Sequence, residues 1–249
     1  MSLSQIFSVS NPVFDEDFWK PNAPLTSPSV VLPPMTLAGT IDKSLRLIGV
    51  MLLGGIVGYF NYSSAIFYIS IIVAMIVAVV GVTSKEYAAM AAIIYAALNG
   101  FVLGDLIGSS IRFLPTVFTI MGAYLFLVIC LNFKLVDATH KGKLWAAAAG
   151  GSVLFNYLAN IILYIKEYDF CFLHQYKAGT LILLAILLAW MIYHQVFAIT
   201  KLVAVESQQL PNNMEWVGAL GLLAAVAWAF AFVVMFIKLV VEAIFEGYS

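Results

Sequence analysis

Seven times along this chain, a stretch of about 20 residues passes with almost no charge and then ends at a polar break. That is the length an α-helix needs to cross the hydrocarbon core of a bilayer. A backbone in lipid must satisfy its own hydrogen bonds, so each run is confined to helix. The runs fall at about 42–60, 64–83, 87–110, 114–133, 144–165, 178–200 and 214–240. Breaks between them include Asn61, Lys85-Glu86, Arg112, the stretch from Asp137 to Lys143, Lys166-Glu167 and Lys201. The spacing predicts an all-α membrane protein, a seven-transmembrane-helix bundle, with little polar chain left for any extramembrane domain.

Composition closes off the soluble alternative. The 249 residues are 63% hydrophobic and 10% charged, with a mean hydropathy of +1.00, whereas a soluble domain carries about 25% charged residues. A chain this apolar cannot cover itself with polar surface, so lipid is its solvent and its first partner. The net charge of −1 supplies no basic patch for a nucleic acid. Cys130 lies in an apolar run and Cys171 in a polar connection, settings that argue against a disulfide and give no metal-ligand spacing. No phosphate-binding glycine loop, His-Glu-x-x-His or serine nucleophile elbow is present, so neither a cofactor nor an enzyme activity is expected.

The first 38 residues read differently. They hold six of the 8 prolines and the acidic cluster Asp15-Glu16-Asp17, without the cationic start, apolar core and small-residue cleavage site of a signal peptide. Residues 1–38 are expected to form an extended Pro-rich cytoplasmic tail, and 39–249 the seven-helix transmembrane domain. Phe14, Phe18 and Trp19 make that tail a candidate for docking on a partner, the alternative being a loosely held segment. Counting basic residues on alternate sides gives Lys20, Lys43, Arg46, Lys85, Lys134, Lys141, Lys143 and Lys201 with the N-terminus, against Arg112, Lys166, Lys177 and Lys238. Eight against four places the N-terminus in the cytoplasm and the C-terminus outside.

Helix three carries a small residue at every fourth position: Ala88, Ala92, Ala96, Gly100, Gly104 and Gly108. In lipid, helices associate through close backbone approach rather than by excluding water, and such stripes permit that approach. Helix three is therefore expected to be central and tightly surrounded. Gly54 and Gly58 make a shorter stripe on helix one, and Gly221, Ala225 and Ala229 another on helix seven.

Polar side chains inside the runs are costly and should face other helices or a wet cavity. They are Asn99 and Asp105 on helix three, Asn132 on helix four, Ser152, Asn156 and Asn160 on helix five, and His194 and Gln195 on helix six. Ser152, Asn156 and Asn160 share one helical face and are expected to hydrogen-bond across the bundle, as structural glue or as part of a polar interior. Asp105 lies about 20 residues beyond Lys85, near the outer boundary, where water is expected to reach it. His194 falls toward the cytoplasmic leaflet, too far from Asp105 to pair with it.

Four stretches, in order, resemble the Bax inhibitor-like (YccA/TMBIM-type) integral membrane protein family, in particular its bacterial branch with an N-terminal tail. They are Ser10-Asn11-Pro12-Val13-Phe14, Met35 to Ser44, Tyr95 to Gly104, and Asn213-Met214-Glu215-Trp216 followed by Ala219-Leu220-Gly221-Leu222-Leu223. The resemblance implies a seven-helix fold with a central helix, in bacteria in the inner (cytoplasmic) membrane. It also implies either a pH-sensitive cation (calcium) leak gated by an aspartate pair between helices six and seven, or modulation of a membrane-bound protease. The sequence departs from that pattern: Tyr193 to Thr200 contains no acid, the facing position falls near Ala224-Ala225, and Asn99 stands where the branch carries Glu. A hard divalent cation wants charged oxygen ligands. The departure favours a non-catalytic accessory or regulatory partner of a larger membrane complex or membrane protease over the leak channel.

Overall fold

The computed structural model describes residues 33–61, 63–109, 111, 114–165, 178–206, 208 and 210–227, of which 64, 178–184 and 187 are described for backbone only. The partner-docking candidates Phe14, Phe18 and Trp19 lie outside these residues, as does Cys171. The helices are α1 (Leu37–Phe60), α2 (Ser64–Thr83), α3 (Ala88–Ser109), α4 (Leu114–Asn132), α5 (Lys141–Ile165), α6 (Ala178–Glu206) and α7 (Met214–Ala227). Six of them contain a span long and apolar enough to cross a membrane, and α7 is a shorter apolar helix over its described length. This is the seven-helix bundle that the apolar runs predict.

Helix boundaries differ from the apolar runs where polar residues cap or extend a helix. Helix α1 starts at Leu37 because Thr36 caps it, its Oγ1 accepting the Gly39 N–H at 2.9 Å. Asp42, Lys43 and Arg46 therefore stand on the first turns of a helix, and Arg46 pairs with Asp42 at 2.8 Å on the exposed side. Helix α4 ends in a double-bonded cap: Leu135 N–H reaches the Cys130 carbonyl at 2.8 Å and Lys134 N–H the Leu131 carbonyl at 3.1 Å. The cap puts Lys134 in the left-handed region at φ 54°, where a side chain costs roughly 1 kcal/mol relative to glycine.

Two seams hold neighbouring helices backbone to backbone. Along the first, α1 and α3 run parallel. A Cβ added to Gly100 would land on the Met51 carbonyl, one on Gly104 on the Gly55 carbonyl, and one on Gly58 on the Phe101 carbonyl. Gly54 meets Ala97 and Gly108 meets Tyr59 in the same way. Along the second seam, Gly122 of α4 and Gly151 of α5 each face the other's carbonyl, flanked by Phe126 and Phe155. Helix α2 lies outside, with Tyr68, Ile69, Ile72, Ile76 and Val79 exposed as lipid-facing side chains must be.

The surrounded helix is α7, not α3. Met214, Val217, Ala219, Leu220, Leu222 and Leu223 are all 2% exposed or less. Gly218 touches Thr40 of α1 and Leu202 of α6, and Leu220 reaches Gly81 of α2. In contrast, α3 buries the face carrying Ala88, Ala92, Ala96, Gly100 and Gly104 but exposes Met90, Ile93 and Ile94. The small-residue stripe marks one very close neighbour, and that does not make α3 the centre.

Candidate functional site

The segment just before α1 is held against the connection from α6 to α7. Asn212 N–H donates to the Pro33 carbonyl at 3.0 Å, Met35 N–H to the Leu210 carbonyl at 2.5 Å, and Pro34 and Pro211 lie side by side, antiparallel. Met35, 1% exposed, anchors the segment in the bundle. This docking begins within the stretch that composition assigns to the tail.

Charge closes the same end. Glu215 stands on the first turn of α7, where the unpaired N–H groups of a helix favour a carboxylate. Its Oε1 accepts the Thr36 N–H at 2.9 Å and the Thr36 hydroxyl at 3.0 Å, and its Oε2 meets the Lys43 ammonium at 2.5 Å. Both side chains are largely buried, 17% exposed for Lys43 and 9% for Glu215. Lys43 also donates to the Asn212 carbonyl at 3.4 Å and lies 5.4 Å from the centre of the Trp216 ring. Leu37 N–H donates to Glu206, the last residue of α6, at 3.0 Å. Gly39 is a glycine for a local reason, since a Cβ there would collide with the Glu215 carboxylate. One carboxylate thus ties the start of α1 to the start of α7, and a second ties it to the end of α6.

Neither Glu215 nor Lys43 stands out in the sequence as a site residue. Glu215 beside Met214 and Trp216 reads as an ordinary acid at a helix start, and its partner is 172 residues away. The available signal was that Lys43, at the entry to the first span, and Glu215, at the entry to the seventh, fall at the same end of a seven-span chain and carry opposite charges.

At the other end of the bundle, Asp105 is 5% exposed and not wet. Its Oδ1 accepts the N–H of Ser63, the residue that caps α2, at 2.6 Å. The depth expected from counting residues is near the membrane boundary, but the short turn from α1 to α2 folds over the carboxylate. There it complements the positive N-terminus of α2.

Most of the remaining polar groups are satisfied within their own helix. Asn99 donates to the Tyr95 carbonyl at 2.9 Å and Ser152 to the Ala148 carbonyl at 3.1 Å. Asn160 donates to the carbonyl and the side-chain oxygen of Asn156, at 2.8 and 3.0 Å. Asn156 crosses between helices, donating to the Thr119 hydroxyl of α4 at 2.7 Å. Asn132, the last residue of α4, is exposed at the membrane boundary rather than inside the bundle. Tyr124 is 1% exposed, and its hydroxyl faces Ser44 outside hydrogen-bonding geometry.

On α6, Gln195 is 2% exposed, and neither its amide atoms nor His194 Nε2 has a hydrogen-bond partner among the described residues. The His194 ring packs edge-on against Trp190, with centroids 4.4 Å apart. Among the described residues, no three His, Cys, Asp or Glu side chains converge as a metal-ligand set. What the site does chemically is hold: among the described residues, each buried carboxylate is engaged by fixed donors.

Among known families, residues 11–241 match the family model described as Bax inhibitor 1 like. No curated protein and no solved structure matches the chain.

Proposed function

The chain belongs to the Bax inhibitor 1-like family of multi-pass membrane proteins, and on that premise we propose that it is a non-catalytic accessory or regulatory partner of a larger membrane complex or membrane protease. The observation that carries this reading is the commitment of the two carboxylates that are buried among the described residues. Glu215 is neutralised by Lys43 and bonded to Thr36, and Asp105 accepts the Ser63 N–H. They stand at opposite ends of the bundle. Among the described residues, a divalent cation inside the bundle would have to strip one of these ties to gain a charged ligand. The tail residues Phe14, Phe18 and Trp19 are the proposed docking element, with the N-terminus in the cytoplasm, the C-terminus outside and a bacterial inner membrane as the setting.

Purification from native membranes in mild detergent tests this role. Full-length protein should elute with a stoichiometric companion, and the F14A/F18A/W19A variant without it. A solitary full-length protein in the same preparation would count against the proposal.

A second reading, the pH-sensitive cation leak, draws on one feature: the bondless polar atoms of His194 and Gln195 would suit a wet interior. Calcium flux into liposomes holding the purified protein separates the two. The accessory role predicts flux at the protein-free level at every pH. A pH-dependent leak lost in Asp105→Asn or His194→Ala would establish the second reading instead.

A further inference from the structure

We infer that the segment from Phe133 to Lys143, the connection between α4 and α5 together with the first turn of α5, is a binding site for the anionic headgroup of a membrane lipid. Three observations meet there. Phe133 and Leu135 are 68% and 70% exposed directly beyond the last residue of a membrane-spanning helix. Large apolar side chains at that level belong in the acyl boundary, not in water. The exposed lysines Lys134, Lys141 and Lys143 flank them, and none of the three ammonium groups forms an ion pair among the described residues. Against them stands one exposed acid, Asp137: its Oδ1 accepts the Thr139 N–H at 2.9 Å and hydroxyl at 2.8 Å, and its Oδ2 lies 3.7 Å from His140 Nδ1. With three lysines against this one carboxylate, the segment is left cationic.

The third observation is backbone conformation. Lys134 sits at φ 54° in a helix cap where glycine fits without strain. Strain held at such a position points to a role for the side chain, and the role that fits here is charge. A lysine at the cap projects from the same turn that presents Phe133 and Leu135. Together they form an apolar wedge with an ammonium beside it, the chemistry that an anionic phospholipid completes.

The test compares retention of dioleoyl phosphatidylglycerol and dioleoyl phosphatidylcholine by the full-length protein in native mass spectrometry. Thermal unfolding in detergent with each lipid runs in parallel. Wild type should retain the anionic lipid preferentially and gain more thermal stability from it. The preference should fall about fivefold for each lysine removed, and K134G/K141Q/K143Q should abolish it. Lys134→Gly alone is the decisive variant because it relieves the cap while deleting the charge. It should unfold no earlier than wild type without lipid, yet bind less anionic lipid. An unchanged preference in the triple variant would overturn the inference. So would equal retention of both lipids by wild type, or full competition by inorganic phosphate, which would make this a free-anion site.

Discussion

At the end where α1 begins, the bundle is closed by side chains: Lys43, Glu215, Thr36 and Glu206 bridge α1, α6 and α7. Toward the end where α1 finishes, it is closed by backbone, with Gly55, Gly58 and Tyr59 lying on Gly104, Phe101 and Gly108. The Asp105 carboxylate secures the turn there, and among the described residues it bonds to an N–H instead of a cation. The two ends solve one problem in different ways. In lipid, apolar side chains gain little by meeting each other rather than acyl chains, so specificity must come from surfaces that fit or from polar groups that cannot be left alone. The backbone seam is specific through shape and tolerates no added atoms. The charged end is specific through partnership and tolerates no missing ones. Substitutions that add volume should therefore be worst at the first, and substitutions that remove a partner worst at the second.

Gly104→Leu should be the most damaging single change. Four carbon atoms would have to enter where one Cβ already lands on the Gly55 carbonyl, and a backbone cannot swing aside as a flexible side chain can. The helices would separate along the whole seam, with loss of the folded monomer in detergent size exclusion. Wild-type yield and elution would mean that the seam is not a tight contact, and the contrast between the ends would collapse.

Lys43→Ala comes next. It leaves the Glu215 carboxylate buried with only the Thr36 donors, and orphaning one partner of a buried pair typically costs about 3–5 kcal/mol. An SDS titration of protein in mixed micelles would read this directly. The sharper experiment adds Glu215→Leu to Lys43→Met: removing both charges should recover most of the loss, since an apolar pair of similar size does nearly as well as a buried ion pair. If the double variant is as unstable as Lys43→Ala, the end is held by something other than charge partnership.

The contrast also explains what could be read from sequence. Seven spans were legible because bilayer thickness fixes their length, and the stripe from Ala88 to Gly108 was legible because its period is that of a helix. The centre of the bundle was not. Val217, Leu220, Leu222 and Leu223 are surrounded by protein, while Ile69, Ile72 and Ile76 of α2 face lipid, yet the two sets have the same chemistry. Where the solvent is as apolar as the core, hydropathy cannot tell inside from outside. The site was hidden for a related reason: depth can be counted along a helix, as it was for Asp105, but burial depends on the turn that folds over it. Glu215 and Lys43 needed a pairing across 172 residues that no local pattern encodes.

Asp105→Ala should cost less than Lys43→Ala, about 1–3 kcal/mol, because the group orphaned is the neutral Ser63 N–H rather than a charge. Asp105→Asn should cost less still, as an amide oxygen can accept the same bond. A cost for Asp105→Asn equal to that of the alanine variant would show that negative charge at the start of α2 matters, making the two ends more alike than their geometry suggests.

Asn156→Ala supplies the baseline for both ends, because it removes a neutral side-chain bond between helices at mid-depth. Thr119 would still donate to the Pro115 carbonyl at 2.6 Å, and Asn160 would keep the backbone carbonyl of residue 156. Little is orphaned, so the expected loss is the ordinary worth of an intramembrane hydrogen bond, about 0.6 kcal/mol. The same SDS titration should place it below Asp105→Ala. A loss as large as that of Lys43→Ala would mean that the seam between α4 and α5, with Gly122 against Gly151, relies on this one bond, and that partnership rather than shape governs the middle of the bundle.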